Sequence, residues 1–467
     1  MKMMTKLALS TAALTFGMLA IPAAAQTKET PPAPAEARPF TLPSVTNYEL
    51  PNGIKVTLVP YGRTPQVTVL AAVRTGNIDD GDNIWLADMT GQMMEKGAGG
   101  RTGTEIAEMA ADMGGSLSLG VGADLTTAYT GVLSEYAPDA VKLIADLLIR
   151  PDFPADEVEK VRADLLRGLS VAQSTPGCIA GEAFSTALYP DHPYGRDFPT
   201  AAQLSSYTLD QLRSFHARNF GAQRTHLYIV GQFDDAAIRK AVEEGFGKWA
   251  KGTPPTVLAA PAGEPGQVVL IDRPGAPQST LNIGQRVDVP VDDVKFAAAN
   301  TLLGGYFSSR ITRNIREDKG YTYSPGSAIT RRVHAAGWGE YADVTAEATG
   351  PSITEILKEV RLMQTQAPSA AEVQGIKNYM NGVFVLGLAS RGGVASRLAN
   401  LDMIGLGPDY LNTYVEKVTA LTGEDMRAAT AQYLPVDKMT YVVVGPLESV
   451  RPQLEAVPEL AGRLPTE

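Results

Sequence analysis

Few residues in this chain combine types and spacings that could do chemistry. The four histidines, His192, His216, His226 and His334, never pair at metal-ligand spacing. His192 sits in HPYG, which reads as a turn, while His216 and His226 flank a helix-to-strand joint and read as structural. There is no G-x-S-x-G elbow, and Cys178 is the single cysteine, which excludes an intrachain disulfide. GAGGRTGT (residues 97–104) faintly resembles a phosphate loop, but it lacks the Gly-Lys-Ser/Thr ending and follows a helix, so a flexible connector is expected. Two stretches remain. LADMTGQMMEKG (residues 86–97) places Leu86, Met89 and Met93 on an apolar helical face, with Asp88 and Gln92 one turn apart. In NIREDKGYTYSPG (residues 314–326) a helix should end near Gly320, since glycine favours the left-handed cap. A strand should follow, with Tyr321 and Tyr323 on one face and Thr322 on the other. The Arg316 guanidinium and the Tyr323 phenol can then converge across the turn. Taken alone, a solvated R-E-D-K turn followed by a packed tyrosine explains this stretch more simply.

The elements that must position these residues occur twice. TLDQLRSFHARNFGAQRTHLYIVG, ending at Gly231, matches TGEDMRAATAQYLPVDKMTYVVVG, ending at Gly445, without a gap and 214 residues apart. PADEVEKVRADLLRGL from Pro154 and PSAAEVQGIKNYMNGV from Pro368 share that offset before a one-residue slip. Two copies of one fold are therefore expected. Each copy opens with strands: GIKVTLVPYG and PQVTVLAAVRTG in the first, with an Asn52-Gly53 turn signal, and QVVLIDRPG and QSTLNIGQRVDV in the second. Helical stretches follow, among them TEIAEMAADMGG, APDAVKLIADLLIR and DEVEKVRADLLRGLSVAQ. Strands and helices mix without strict alternation, so the fold class is α+β, two homologous domains in tandem, each a mostly antiparallel sheet packed with helices.

At 467 residues the chain exceeds one compact core. Its net charge of −10 argues against general binding to nucleic acid or anionic membrane. The opening MKMMTKLALSTAALTFGMLAIPAAAQ, with two lysines, an apolar run and Ala23-Ala24-Ala25, reads as an export signal cleaved near Ala25, which points to the periplasm. The expected layout is a signal at 1–25, a mobile Pro/Ala-rich arm at 26–44, a first domain at 45–250, a Pro-rich linker at 251–267 and a second domain at 268–460.

Taken in order, LPNGIKVTLVP, LADMTGQMMEKG, DMGGSLSLGVGADLTTAYTGVL, FPADEVEKVRADLL, HPYG, LLGGYFSSRITRNIREDKGYTYS and SRGGVASRLANLDMIGLG span nearly the whole chain after the signal. With the two-fold repeat, they resemble the pitrilysin-type metallopeptidases, the group of insulin-degrading enzyme and the mitochondrial processing peptidase. The resemblance implies a clam-like half of a peptidase chamber. Active members carry H-x-x-E-H on a helix: two imidazoles bind zinc, the Glu between them takes a proton from metal-bound water, and a distant Glu completes the ligands. Laid on that motif, Asp88 and Gln92 stand at the histidine positions, Gly91 at the base and Gly168 at the third ligand. No metal site is expected here; Asp88 and Gln92 should bond each other or nearby backbone while Met89 and Met93 pack inward.

The family's Arg and Tyr, which reach the zinc site from the second half or from a partner, map to Arg316 and Tyr323, with Tyr321 the competing tyrosine. The resemblance therefore implies a zinc-less subunit of a heterodimeric peptidase. Zinc and base would lie in an H-x-x-E-H paralogue, and unstructured peptides, bound as an added strand on a sheet edge, would be the substrates. LLGGYFSSR and SRGGVASR are candidates to shape the chamber. A non-catalytic peptide-binding or assembly scaffold is the alternative from another class, and a stand-alone hydrolase using Asp88 with another metal is a third.

Overall fold

The computed structural model describes residues 38–261, 263–333 and 335–465. The expected export signal, its cleavage point at Ala25, most of the Pro/Ala-rich arm and His334 lie outside these residues. Strands β1 (Thr46–Glu49), β2 (Lys55–Pro60) and β3 (Gln66–Val73) open the first half. A short hairpin of β4 (Gly97–Ala98) and β5 (Arg101–Thr102) follows, then β6 (Leu117–Val121), β7 (Thr126–Leu133) and β8 (Thr225–Gly231). The second half holds β9 (Val268–Asp272), β10 (Gln278–Arg286), β11 (Gly326–Arg332), β12 (Ala335–Thr345) and β13 (Thr440–Gly445).

The first sheet runs β1-β2-β8-β3-β7-β6 and the second β11-β12-β10-β13-β9. Apart from β1, each places its first strand beside its last, in parallel, and its third strand at the far edge. The remaining pairs are antiparallel. The helix caps repeat with the sheets: Thr208 with Gln211, and Thr422 with Asp425, each satisfy the free N–H groups of a helix start reciprocally.

Each half has its own core, and a third core joins them. The helix Arg391–Met403 of the second half lies on β3 and β8, burying Val394, Leu398 and Ala399 with Val59, Leu70, Tyr228 and Val230 of the first sheet. In return the helix Pro176–Leu188 packs Ala180 against Val442 and Val444 of β13. Each such Leu or Val taken fully from water contributes about 1.5–3 kcal/mol, so this exchange of helices fixes the two halves as one body. Residues 40–42 depart from the expected mobile arm. The Phe40 ring meets Phe384 edge-on at 5.6 Å, Leu42 is buried, and the Leu42 N–H donates to Asn412 Oδ1 at 2.7 Å. Two large apolar side chains in a Pro-rich stretch are enough to dock it.

GAGGRTGT is also more ordered than a flexible connector. It forms the β4–β5 hairpin, with Gly99 and Gly100 at φ +62° and +75°, and Thr102 caps the helix Gly103–Asp112. Among the described residues no helix is long and apolar enough to cross a membrane.

Candidate functional site

Helix α1 (Leu86–Met94) carries the first candidate residues. It starts after Trp85, held at φ +67°, a left-handed conformation uncommon outside glycine. Trp85 gives no side-chain cap; Asp80 supplies one from the preceding loop, accepting the N–H of Ala87 at 2.7 Å and of Trp85 at 3.0 Å. Burial pushes the Asp80 carboxyl up to about 7, against the hydrogen bonds from Ala87, Asn77 and Trp85 that lower it. Asp88 accepts a 2.6 Å hydrogen bond from Asn77 Nδ2, and burial raises its carboxyl too. Of the two expected kinds of partner, each other or nearby backbone, Gln92 is not the one Asp88 takes: Asn77, in a 3-10 turn eleven residues earlier, holds its carboxylate. Met89 and Met93 are fully buried, as expected from the helical face.

The motif positions do not fit a metal. Gly91 is buried, and a Cβ there would lie 2.6 Å from Val121 Cγ2 and 2.9 Å from Leu119 Cδ2, so side chains of β6 fill the space a general base would need. Gly168, on the helix Val158–Ser174 that packs against α1, faces open space. Among the described residues no group of three or more His, Cys, Asp or Glu side chains is placed to hold a metal ion.

Arg316 and Tyr323 do come together. Arg316 rides on a π-helical turn, Thr312–Asp318, whose end is closed by Gly320 at φ +66°; the Tyr321 N–H reaches back to Ile315 O at 2.8 Å. Its guanidinium lies 4.3 Å from the Phe307 ring centroid and 5.1 Å from that of Tyr323, a cation–π arrangement on two rings. Among the described residues it has no carboxylate partner within ion-pair distance, although Glu317 and Asp318 follow it directly. Tyr323 is 79% exposed and Phe307 67% exposed. Tyr321 packs against the second core instead. Residues 321–325 form no regular strand, only a bridge from Thr322 to Val344, so the expected sharing of one face by the two tyrosines does not occur.

The cavity around Arg316 measures about 300 Å³ and is lined wholly from the second half: Gly304, Gly305, Phe307, Arg316, Tyr323 and Tyr341 are among its walls. LLGGYFSSR thus shapes this pocket through a second π-helical turn, Thr301–Gly305, and such turns recur at functional sites. SRGGVASR instead starts the helix that docks on the first sheet. Sequence reasoning missed Phe307 and Tyr341, whose exposed rings give no periodic signal. It also missed Glu340, which is 1% exposed behind Gly304 with neither oxygen hydrogen-bonded.

The three described histidines hold structure. His192 Nδ1 accepts the Tyr194 N–H at 3.1 Å, and His216 Nε2 meets Leu148 O at 2.8 Å. His226 lies 2.8 Å from Thr57 Oγ1 and 3.4 Å from Asp402 Oδ2, and Arg74 also reaches Asp402, at 3.3 Å, so this cluster bridges the two halves.

Residues 56–199 match "Insulinase (Peptidase family M16)", and residues 206–380 match "Peptidase M16 inactive domain". The two matches run almost without a break from the strand before the degenerate motif to beyond the Arg316 pocket. The chain belongs to peptidase family M16. M16 relatives include an "Uncharacterized zinc protease" of Mycobacterium tuberculosis, 26% identical over 410 residues, covering 86% of this chain and 93% of that protein. Another, from Bacillus subtilis, is 23% identical over 399 residues, covering 84% and 96%. Among solved structures, a peptidase M16 inactive domain from Pseudomonas fluorescens aligns with a TM-score of 0.79 at 25% identity, over 86% of this chain and 98% of that one. A chain of Complex III2 from Candida albicans shares the M16 fold, with a TM-score of 0.72 at 17% identity over 88% of this chain and 99% of that one.

Proposed function

We propose that this chain is the zinc-less subunit of a heterodimeric, exported M16 peptidase. A paralogue with an intact H-x-x-E-H motif supplies the metal and the base, and this chain completes the substrate chamber with Arg316 and Tyr323. The observation that carries the reading is the Arg316 guanidinium, flanked by two exposed aromatic rings and, among the described residues, left without a carboxylate. A fixed cation with five donors suits the carbonyl of a peptide and the negative charge that grows on it during hydrolysis. The Tyr323 hydroxyl, at the solvent side of the pocket, adds a donor to the same oxygen or to the substrate backbone. The Phe307 and Tyr323 rings take up no N–H acceptor role, so the guanidinium beside them keeps its donors for a substrate.

The test is cleavage of an unstructured peptide by an H-x-x-E-H homologue from the same source, alone and co-expressed with this chain. Cleavage should rise in the pair, and Arg316→Ala should lower the pair's kcat by about 100-fold or more, the cost of losing one oxyanion donor. Equal cleavage with and without this chain, together with no effect of Arg316→Ala, sinks the proposal. The Complex III2 likeness favours a second reading, an assembly scaffold. Under that reading the pair forms, but Arg316→Ala leaves cleavage unchanged.

A further inference from the structure

Strand β6 ends the first sheet on the side of α1. An edge strand presents unpaired main-chain groups, and an extended peptide can add to them as a further strand. In the β6–β7 hairpin the Gly122 N–H donates to Leu125 O. Counting along the antiparallel ladder from there, Gly120 and Ser118 bond to β7, while Val121, Leu119 and Leu117 turn their N–H groups outward. The central one of these is already taken. Glu95, the residue that ends α1, reaches across and accepts the Leu119 N–H on Oε1 at 2.9 Å. The Leu119 and Val121 side chains also pack over Gly91, where a Cβ would meet them at 2.9 and 2.6 Å, which holds α1 beside β6.

We propose that Glu95 stands in for the carbonyl of an incoming strand and keeps the β6 edge closed to extended peptides. A peptide that paired with β6 would need the Leu119 N–H, and to reach it would have to displace a charge-assisted hydrogen bond. Peptide in a chamber built with this chain is then carried by main-chain bonds elsewhere. The proposal involves neither Arg316 nor a partner chain, so it can fail or succeed independently of the subunit reading.

The experiment uses the purified full chain alone, with a fluorescein-labelled 12-residue Ser/Ala/Val/Lys peptide followed by anisotropy and amide exchange followed at Leu119. Glu95→Ala should tighten peptide binding about ten-fold or more, the scale of one hydrogen bond to a charged group. It should also speed Leu119 exchange by a similar factor. Glu95→Gln, which keeps a carbonyl acceptor, should behave as wild type, and the gain should persist in E95A/R316A. The proposal is overturned if E95A binds no better, if E95Q gains as much as E95A, or if E95A self-associates without binding peptide. If E95A does not fold, the wild-type chain still decides: Leu119 must exchange more slowly than Leu117 and Val121, and equal rates overturn the proposal.

Discussion

Replacing Glu340 by methionine should stabilise this protein, contrary to the usual outcome of a core substitution. Glu340 lies on β12 opposite Ser327 of β11 and Ile283 of β10, 1% exposed. Among the described residues neither carboxylate oxygen finds a hydrogen-bond partner. A buried polar group left unsatisfied costs about 1–3 kcal/mol, and methionine keeps the length and flexibility of the side chain without that demand. Burial pushes the Glu340 carboxyl well above its ordinary 4.5, opposed only by the Gly326 N–H, which approaches the carboxyl outside hydrogen-bond geometry. Its folded form therefore holds a proton that the unfolded chain releases near 4.5. Stability is fullest below that value and falls as pH rises toward the raised folded value, by about 1.4 kcal/mol per pH unit while the one-proton difference lasts. Urea unfolding from pH 4 to pH 8 reads both effects. The fluorescence of Trp338 is a suitable signal, since its indole N–H donates at 2.7 Å to Asn300 Oδ1, which also accepts from Ser327. E340M should unfold at higher urea by an amount equivalent to about 1–3 kcal/mol at neutral pH, and show a shallower downward slope, the remainder belonging to Asp80 and Asp88. Glu340→Gln should flatten the slope as much as methionine does but keep most of the cost, because an amide buried there still lacks partners. A lower midpoint for E340M, or an unchanged slope, would refute the reasoning and mean that Glu340 is satisfied in the folded chain.

Three further outcomes follow from single contacts. Asp79→Ala should destabilise by about 3–5 kcal/mol in the same assay, because it strands Arg224 in a pair with both side chains 3% exposed. Lowering the pH should loosen the two halves late. Burial raises the Asp402 carboxyl, but His226, Arg74 and Lys55 outweigh it and hold it at about 2. Its contribution is present above the unfolded value of 3.8 and lost as pH falls through about 2, which hydrogen exchange in the helix Arg391–Met403 would register. Installing the motif through Asp88→His, Gly91→Glu, Gln92→His and Gly168→Glu should yield no stoichiometric zinc by metal analysis until Leu119 and Val121 are cut to alanine. The Gly91→Glu change alone should cost about 1–3 kcal/mol through overpacking.

What the sequence determined by itself was whatever depends on local or repeated chemistry. The 214-residue offset announced the doubled fold, because one hydrophobic pattern and one capping box at Thr208 and Thr422 must fold alike. Alternation placed β2, β3, β9 and β10. At Gly91 and Gly168 the sequence alone excludes a side-chain ligand, since a glycine has none to offer wherever it lies. The tertiary structure alone decided the through-space contacts. It gave Asp88 to Asn77 rather than Gln92, docked Phe40 on Phe384, and set Phe307 beside Arg316. It turned Tyr321 into the core and left Tyr323 outside, because the segment bends where a regular strand would have put both on one face. It also brought Glu95 to Leu119, 24 residues further along the chain. No periodicity encodes such meetings; they arise when separate elements pack, and steric fit and hydrogen-bond demand choose the neighbours.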